Sequence, residues 1–248
     1  MSTENLALVA ARMGSERMPG KVIKNLAGIP SLVHIFAILK ESELTDDFAV
    51  ITTILEEDDE IEKLCIENKV KVIRGSVHDV LDRFRTAIEI FKPKRVIRVT
   101  GDDPLMDPEI IDKVISSHCS GNFDYSSNII DRTYPRGMDT EVIDSQVLKR
   151  VWRTTSDRDD HEHVTLYIRR NPGKFRMNSV MNEHADLSSL RLCMDREEDY
   201  ELVKIIYDNL YNGKVIRLSE VTEFLNKNPE LKRINADVRQ KEVKGVVY

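Results

Sequence analysis

Three cations stand close together near the start of this chain: Arg12, Arg17 and Lys21, with Ser15 among them and glycines at 14 and 20. They follow Leu6–Ala11, an apolar run of strand length. Arginine offers forked donors and lysine a point charge, so the loop suits an anion with several oxygens. Gly14 and Gly20 let backbone N–H groups come close to such a ligand. A polyphosphate is the natural occupant; a solvated basic surface loop is the alternative. Position favours the ligand, because open α/β sheets bind beyond the carboxyl ends of their strands. Neither a Walker A sequence nor Gly-x-Gly-x-x-Gly is present, so side chains must do as much of the gripping as backbone.

An acidic counterpart follows the apolar run Arg95–Val99: Thr100-Gly101-Asp102-Asp103-Pro104. A carboxylate at a strand's carboxyl end can hold Mg²⁺ beside a nucleotide phosphate, since Mg²⁺ takes one or two carboxylates plus substrate oxygens. Asp102 or Asp103 can equally cap the helix expected near Pro108–Ser117. Asp195, after Arg191–Met194 and before Glu197-Glu198-Asp199, is a second candidate ligand with the same capping alternative. Asp139 and Glu141 stand two residues apart on an expected strand, which aims both at one face. They suit sugar hydroxyls, or they are exposed edge-strand charges. His161-x-His163 has zinc-compatible spacing without a third ligand nearby, which favours a substrate-facing or hydrogen-bonding role. The run Glu56–Glu60 opens a helix, where carboxylates complement the helix dipole, and reads as scaffold.

Elements to carry these residues alternate through the first half. Strands are expected at Leu6–Ala11, Phe48–Thr52, Val70–Ile73 and Arg95–Val99, and helices at Ser31–Lys40, Asp59–Asn68 and Val77–Phe91. This rhythm implies an α/β fold, a mainly parallel sheet with helices on both faces. After Asp124 the rhythm loosens. Thr140–Ile143, Phe175–Met181 and Ser189–Met194 read as strands, and Asp144–Arg153, Glu197–Tyr211 and Ser219–Asn226 as helices. Residues 130–185 read as an excursion that builds the acceptor side and a dimer contact within a single domain. The 248 residues carry a net charge of −6, which argues against broad nucleic-acid binding. No apolar run approaches the ~20 residues of a membrane span. Met1–Asn5 lacks the features of a signal peptide, and Cys65, Cys119 and Cys193 form no Cys-x-x-Cys motif. A reducing cytoplasm is the expected location.

Together these blocks resemble the cytidylyltransferases that make CMP-activated ulosonic and nonulosonic sugars, a group that includes CMP-KDO synthetases, acylneuraminate cytidylyltransferases and spore-coat polysaccharide biosynthesis homologues. The first block is similar to the family's Ala-Arg-x-x-Ser-x-Arg-x-Pro-x-Lys signature and continues through Pro30. Arg74-Gly75-Ser76 with Asp79–Phe84, and Thr100–Pro108, resemble the next two. Glu162–Thr165, Tyr167–Arg170 and Asp195–Asp199 look closest to the spore-coat branch, although Leu166 stands where that branch often has proline.

The resemblance implies a Rossmann-like nucleotide-diphospho-sugar transferase fold, a homodimer, and transfer of CMP from CTP to an acidic sugar with release of pyrophosphate. It implies that Arg12, Ser15, Arg17 and Lys21 bind the triphosphate, with Arg74 and Ser76 near the nucleoside. Mg²⁺ would lie on Asp102 and Asp195, and Arg12, Lys21 and Asp102 would be catalytic. Asp139, Glu141 and His163 are the candidates for the acceptor side. A sugar-1-phosphate nucleotidyltransferase, a glycosyltransferase or a non-catalytic nucleotide-binding protein are the competing readings.

Overall fold

A computed structural model describes residues 3–240. The first half runs β1 (Asn5–Ala10), β2 (Asn25–Leu26), β3 (Ile29–Pro30), α1 (Ser31–Glu41), β4 (Asp47–Thr53), α2 (Asp59–Glu67), β5 (Lys71–Gly75), α3 (Val80–Phe91) and β6 (Arg95–Thr100). The second half runs α4 (Pro108–Cys119), β7 (Tyr125–Ser127), β8 (Glu141–Asp144), α5 (Ser145–Thr154), α6 (Arg158–Glu162), α7 (Leu166–Arg170), β9 (Met177–Ser179), α8 (Glu197–Leu210) and α9 (Leu218–Lys227). Seven strands form one sheet in the order β5-β4-β1-β6-β8-β7-β9. The β5-β4-β1-β6 half is parallel throughout, while β8 runs antiparallel between β6 and β7.

Strand alternation distributes the core to two faces. Ala7 and Val9 of β1 pack with α1, α2 and α4. Leu6 and Leu8 pack with α3 and α5 on the opposite face. A third apolar cluster joins α8 and α9 to the β2–β3 hairpin and to Met18. The mainly parallel sheet with helices on both faces is therefore present.

Local chemistry sets the boundaries. The helix expected from Val77 begins at Val80, because the Asp79 side chain accepts from the Asp82 N–H at 2.7 Å and caps it. Two elements carry too little pattern to be read in sequence. The β2–β3 hairpin turns on Ala27 and Gly28, both at positive φ, the arrangement of a type I′ turn. β7 is a three-residue Tyr-Ser-Ser strand without an apolar alternation. The strand expected over Ser189–Met194 does not form. That segment makes a single bridge, Arg136 to Arg191, and otherwise runs as irregular chain.

The loop after β1 is fastened from below. Asp58, fully buried, accepts the Met13 N–H at 2.7 Å and the Thr53 N–H at 3.1 Å, and takes the Thr53 hydroxyl as well. The acidic run thus acts as scaffold, tying the basic loop to the end of β4. Met13 in turn accepts from the Ser15 and Gly20 N–H groups at 2.8 and 2.9 Å, which closes the loop on itself. Replacing Asp58 with Ala strands buried donors. We expect the free energy of unfolding to fall by about 2–4 kcal/mol, read by urea denaturation.

Candidate functional site

The basic loop and the acidic strand end meet directly. Gly101 follows β6, and its N–H donates to the Ala10 carbonyl at 2.9 Å. A Cβ at this position would lie 2.9 Å from Ala11 Cβ and 3.1 Å from the Ala10 carbonyl oxygen, so only glycine lets the two loops come this close. Lys21 opens a short 3₁₀ turn after Gly20, whose φ of 67° is left-handed. From there its ammonium reaches Asp102 Oδ2 at 2.5 Å and Asp195 Oδ1 at 2.9 Å. Arg17 takes the other oxygen of Asp195 at 2.7 Å. Met18, buried in the third cluster between Arg17 and Pro19, anchors the loop there.

These contacts separate ligand from cap. Asp107 caps α4, accepting from the Glu109 N–H at 2.9 Å, so Asp102 and Asp103 are not spent on that helix. Asp199 accepts from the N–H groups of Asp195 and Arg196 at the start of α8, which leaves the Asp195 carboxylate facing the cations. Burial opposes charge on Lys21, but Asp102 and then Asp195 outweigh it and hold its pKa above the ordinary lysine value. Burial likewise pushes Asp102 up, and Lys21 pulls it below the usual carboxylate range. For Asp103, burial and then the charges of Asp102 and Asp139 push the carboxyl well above that range.

A cleft of about 200 Å³ opens beside this cluster, with Arg17, Asp102 and Asp195 at one end. Arg98, Asp139, Glu141, His163 and Arg169 line its other part. Asp139 receives a bidentate pair from Arg132 at 2.6 and 2.8 Å. Glu141 is not an exposed edge charge. It is about 1% exposed, its carboxylate accepting from Arg98 across the β6–β8 pair and from the Tyr125 hydroxyl at 2.6 Å. Burial raises the Glu141 pKa, but Arg98 and then Tyr125 bring it below the ordinary value. His163 lines the cleft, whereas His161 faces elsewhere, pairing with Asp79 at 2.8 Å and with the Thr155 carbonyl at 3.0 Å.

Three other expected residues lie outside this convergence. Arg74 is a clamp between β4 and α2, bonded to Asp59 and Glu62 at 2.5 and 2.7 Å and to the Thr53 and Leu55 carbonyls. Ser76 accepts from the Asp79 N–H at 3.1 Å in the turn before α3. Arg12 is exposed beyond the end of β1 and makes no ion pair among the described residues. Sequence reasoning passes over Arg98 and Arg83. Arg98 reads as a strand residue amid apolar neighbours; its one signal is a charge inside a buried strand. Arg83 is buried, donates to the Ser76 carbonyl, and has its pKa lowered by burial and by the like charge of Arg12.

The donor set fits a hard divalent cation. Two carboxylates, one at the end of β6 and one on the approach to α8, already converge on one cationic atom, Lys21 Nζ. Among the described residues no group of three or more His, Cys, Asp or Glu is arranged to hold a metal. Two carboxylates completed by water and phosphate oxygens are the usual Mg²⁺ arrangement.

Fold and cleft define a nucleotide-handling transferase of the α/β type. The chain belongs to the cytidylyltransferase family, whose profile matches residues 6–238. It is 36% identical to the spore coat polysaccharide biosynthesis protein SpsF of Bacillus subtilis, over 91% of this chain and 95% of that protein. A cytidylyltransferase structure from Leptospira borgpetersenii superposes with a TM-score of 0.87 at 28% identity, covering 98% of this chain and all of that one. A CMP-KDO synthetase determined with CTP shares the fold, with a TM-score of 0.65 at 15% identity over 84% of this chain and all of that one. The chain is accordingly a CTP-dependent nucleotidyltransferase.

The buried Arg98–Glu141 pair gives a pH-dependent prediction. The folded-state pKa of Glu141 is depressed, so its stabilisation is present above the ordinary value of 4.5 and is lost as pH falls through the folded value. Glu141→Gln leaves Arg98 without its counter-charge and should cost about 3 kcal/mol at pH 7. The difference from wild type should shrink as pH falls below 4.5, measured by denaturant titration across pH.

Proposed function

We propose that this chain transfers CMP from CTP to a 3-deoxy-ulosonic or nonulosonic acid and releases pyrophosphate, in the synthesis of a surface polysaccharide or glycoconjugate. The observation that carries the reading is the cleft itself, which joins the Lys21–Asp102–Asp195 cluster to a second half lined by arginines. Arg98, Arg132, Arg136 and Arg169 line that half against Asp103, Asp139 and Glu141, and burial with the charges of Asp102 and Asp139 pushes the Asp103 carboxyl well above the usual carboxylate range. The balance favours an acceptor that brings a negative group.

Arg12, Arg17 and Lys21 would hold the triphosphate, with Lys21 and Arg17 moving from the carboxylates to phosphate oxygens. Their charge would stabilise the leaving pyrophosphate, while the cleft orients the acceptor hydroxyl in line with the α-phosphorus. Nucleotidyl transfer depends mainly on such positioning and charge stabilisation, so no protein nucleophile is needed. Asp102 and Asp195 would hold Mg²⁺, which offsets charge on the reacting phosphate when bound. His163 and Asp139 stand where sugar hydroxyls would lie, while Glu141 supports that wall by fixing Arg98.

The reading is tested by pyrophosphate release with ATP, CTP, GTP and UTP against 3-deoxy-manno-octulosonate, N-acetylneuraminate, related nonulosonic acids and sugar 1-phosphates, with mass spectrometry of the product. CTP with an acid of the first kind should yield pyrophosphate and a CMP adduct. Turnover confined to sugar 1-phosphates would overturn the acidic acceptor. Asp102→Asn should lower kcat by at least about 100-fold with the circular dichroism spectrum unchanged.

A further inference from the structure

We infer that this site takes its divalent cation as the metal–triphosphate complex and discriminates against the free ion, because Lys21 competes for the same two carboxylate oxygens. The inference rests on the reading of Asp102 and Asp195 as metal ligands and adds what Lys21 does to that metal.

The competition is first one of space. Lys21 Nζ lies 2.5 Å from Asp102 Oδ2 and 2.9 Å from Asp195 Oδ1. The ammonium thus occupies the place between the two oxygens that a cation bridging them at about 2.0–2.1 Å would take, so the two compete for it. It is also one of charge. The two carboxylates are matched by Lys21 and by Arg17, which holds the second oxygen of Asp195 at 2.7 Å. Arg191 approaches the same oxygen at 3.5 Å but spends its closer bonds on Asp199. The cluster is therefore close to electroneutral as it stands.

Burial makes that balance matter. The side chains of Lys21 and Asp195 are only 12% and 6% exposed, so water screens them little. A free divalent ion would have to expel the ammonium and leave it without a counter-ion in a part-buried setting, which is strongly unfavourable. A triphosphate changes both sides of the exchange. Its oxygens receive Lys21 and Arg17, which frees Asp102 and Asp195, and they supply the remaining ligands of the metal. Lys21 has the means to make the move: its four-carbon stem is flexible, while Gly20 behind it is held by the 2.9 Å bond from its N–H to the Met13 carbonyl. Metal and nucleotide then bind with positive coupling, reciprocal between the two.

The test is a titration of Mn²⁺ into the full chain, reading free Mn²⁺ by electron paramagnetic resonance, with and without saturating α,β-methylene-CTP. Nucleotide-free Lys21→Met should bind Mn²⁺ at least tenfold more tightly than nucleotide-free wild type, and Lys21→Gln should move the same way. Circular dichroism checks that both variants fold. Wild type alone should show Mn²⁺ affinity rising at least tenfold with the analogue bound, beyond what the analogue binds in solution. Equal Mn²⁺ affinity in nucleotide-free wild type and both variants overturns the inference alone, provided that binding is lost on Asp102→Asn or Asp195→Asn. Binding that survives both Asn substitutions overturns the metal assignment and the inference with it.

Discussion

One interaction organises this molecule: a single ammonium between two carboxylates that come from segments far apart in the chain. Lys21 belongs to the loop after β1, Asp102 to the end of β6, and Asp195 to the approach to α8. β1 and β6 are neighbours in register from Asn5–Arg95 to Ala10–Thr100, so their loops leave the sheet side by side. Gly101 lets them touch. The third partner arrives differently. The Met194 N–H donates to the Asp102 carbonyl at 2.7 Å, which fixes the spacing of the two carboxylates through backbone. Like charges held at that distance require a counter-cation, and everything else in the site either supplies it or holds it in place.

The supports around this cluster fall into two physical types. On the nucleotide side they are largely backbone hydrogen bonds to carboxylates: the buried Asp58 holds the basic loop, the half-buried Asp79 holds α3, and the buried Asp107 and Asp199 hold α4 and α8. Such bonds use charge-assisted acceptors and are short and directional, which suits a ligand of fixed geometry such as a triphosphate. Arg191 joins the set by bracketing Asp199 at 2.8 and 3.0 Å, and Asn235 donates to the same carboxylate. Asp199, which reads in sequence as one more acid beside Asp195, is thus occupied once the chain folds, and Asp195 is left to face Lys21.

Much of this architecture is legible in the amino-acid sequence. The apolar runs that form β1, β4, β5 and β6 are bounded by charge and glycine, and the helices between them show clear periodicity, so half the sheet follows from pattern alone. The basic loop and the Gly-Asp-Asp-Pro turn can be read because strand ends in such sheets are binding positions. What escapes has a common cause. β7 and the β2–β3 hairpin are too short for periodicity to register, and Ser189–Met194 looks like a strand only because tertiary packing also demands apolar residues there. Arg74 illustrates the same limit for sites. An arginine at a strand's carboxyl end looks like a ligand group, and only folding shows that Asp59, Glu62 and two carbonyls surround it. Glu141 is the converse, a polar residue whose cross-strand neighbour, Arg98, is fixed only by the register of β6 and β8.

The half of the cleft proposed for the acceptor is built on another plan, and under that reading the difference bears on specificity. There the cleft wall consists of side-chain pairs, Arg98 with Glu141 and Arg132 with Asp139, instead of loops tethered through backbone. Each pair is close to neutral, so neither alone selects by charge; the anionic acceptor proposed above rests on arginines outnumbering carboxylates along the wall. A wall of this kind can be retuned by exchanging one member of a pair while the sheet and the phosphate loop stay intact. A backbone-tethered loop cannot change that way, because losing Asp58 releases the basic loop from the end of β4 and replacing Gly101 disturbs the approach of the loops after β1 and β6. Fixed chemistry at one end of the cleft and latitude at the other are thus consequences of how each end is held, and a single fold can keep its nucleotide while changing its sugar.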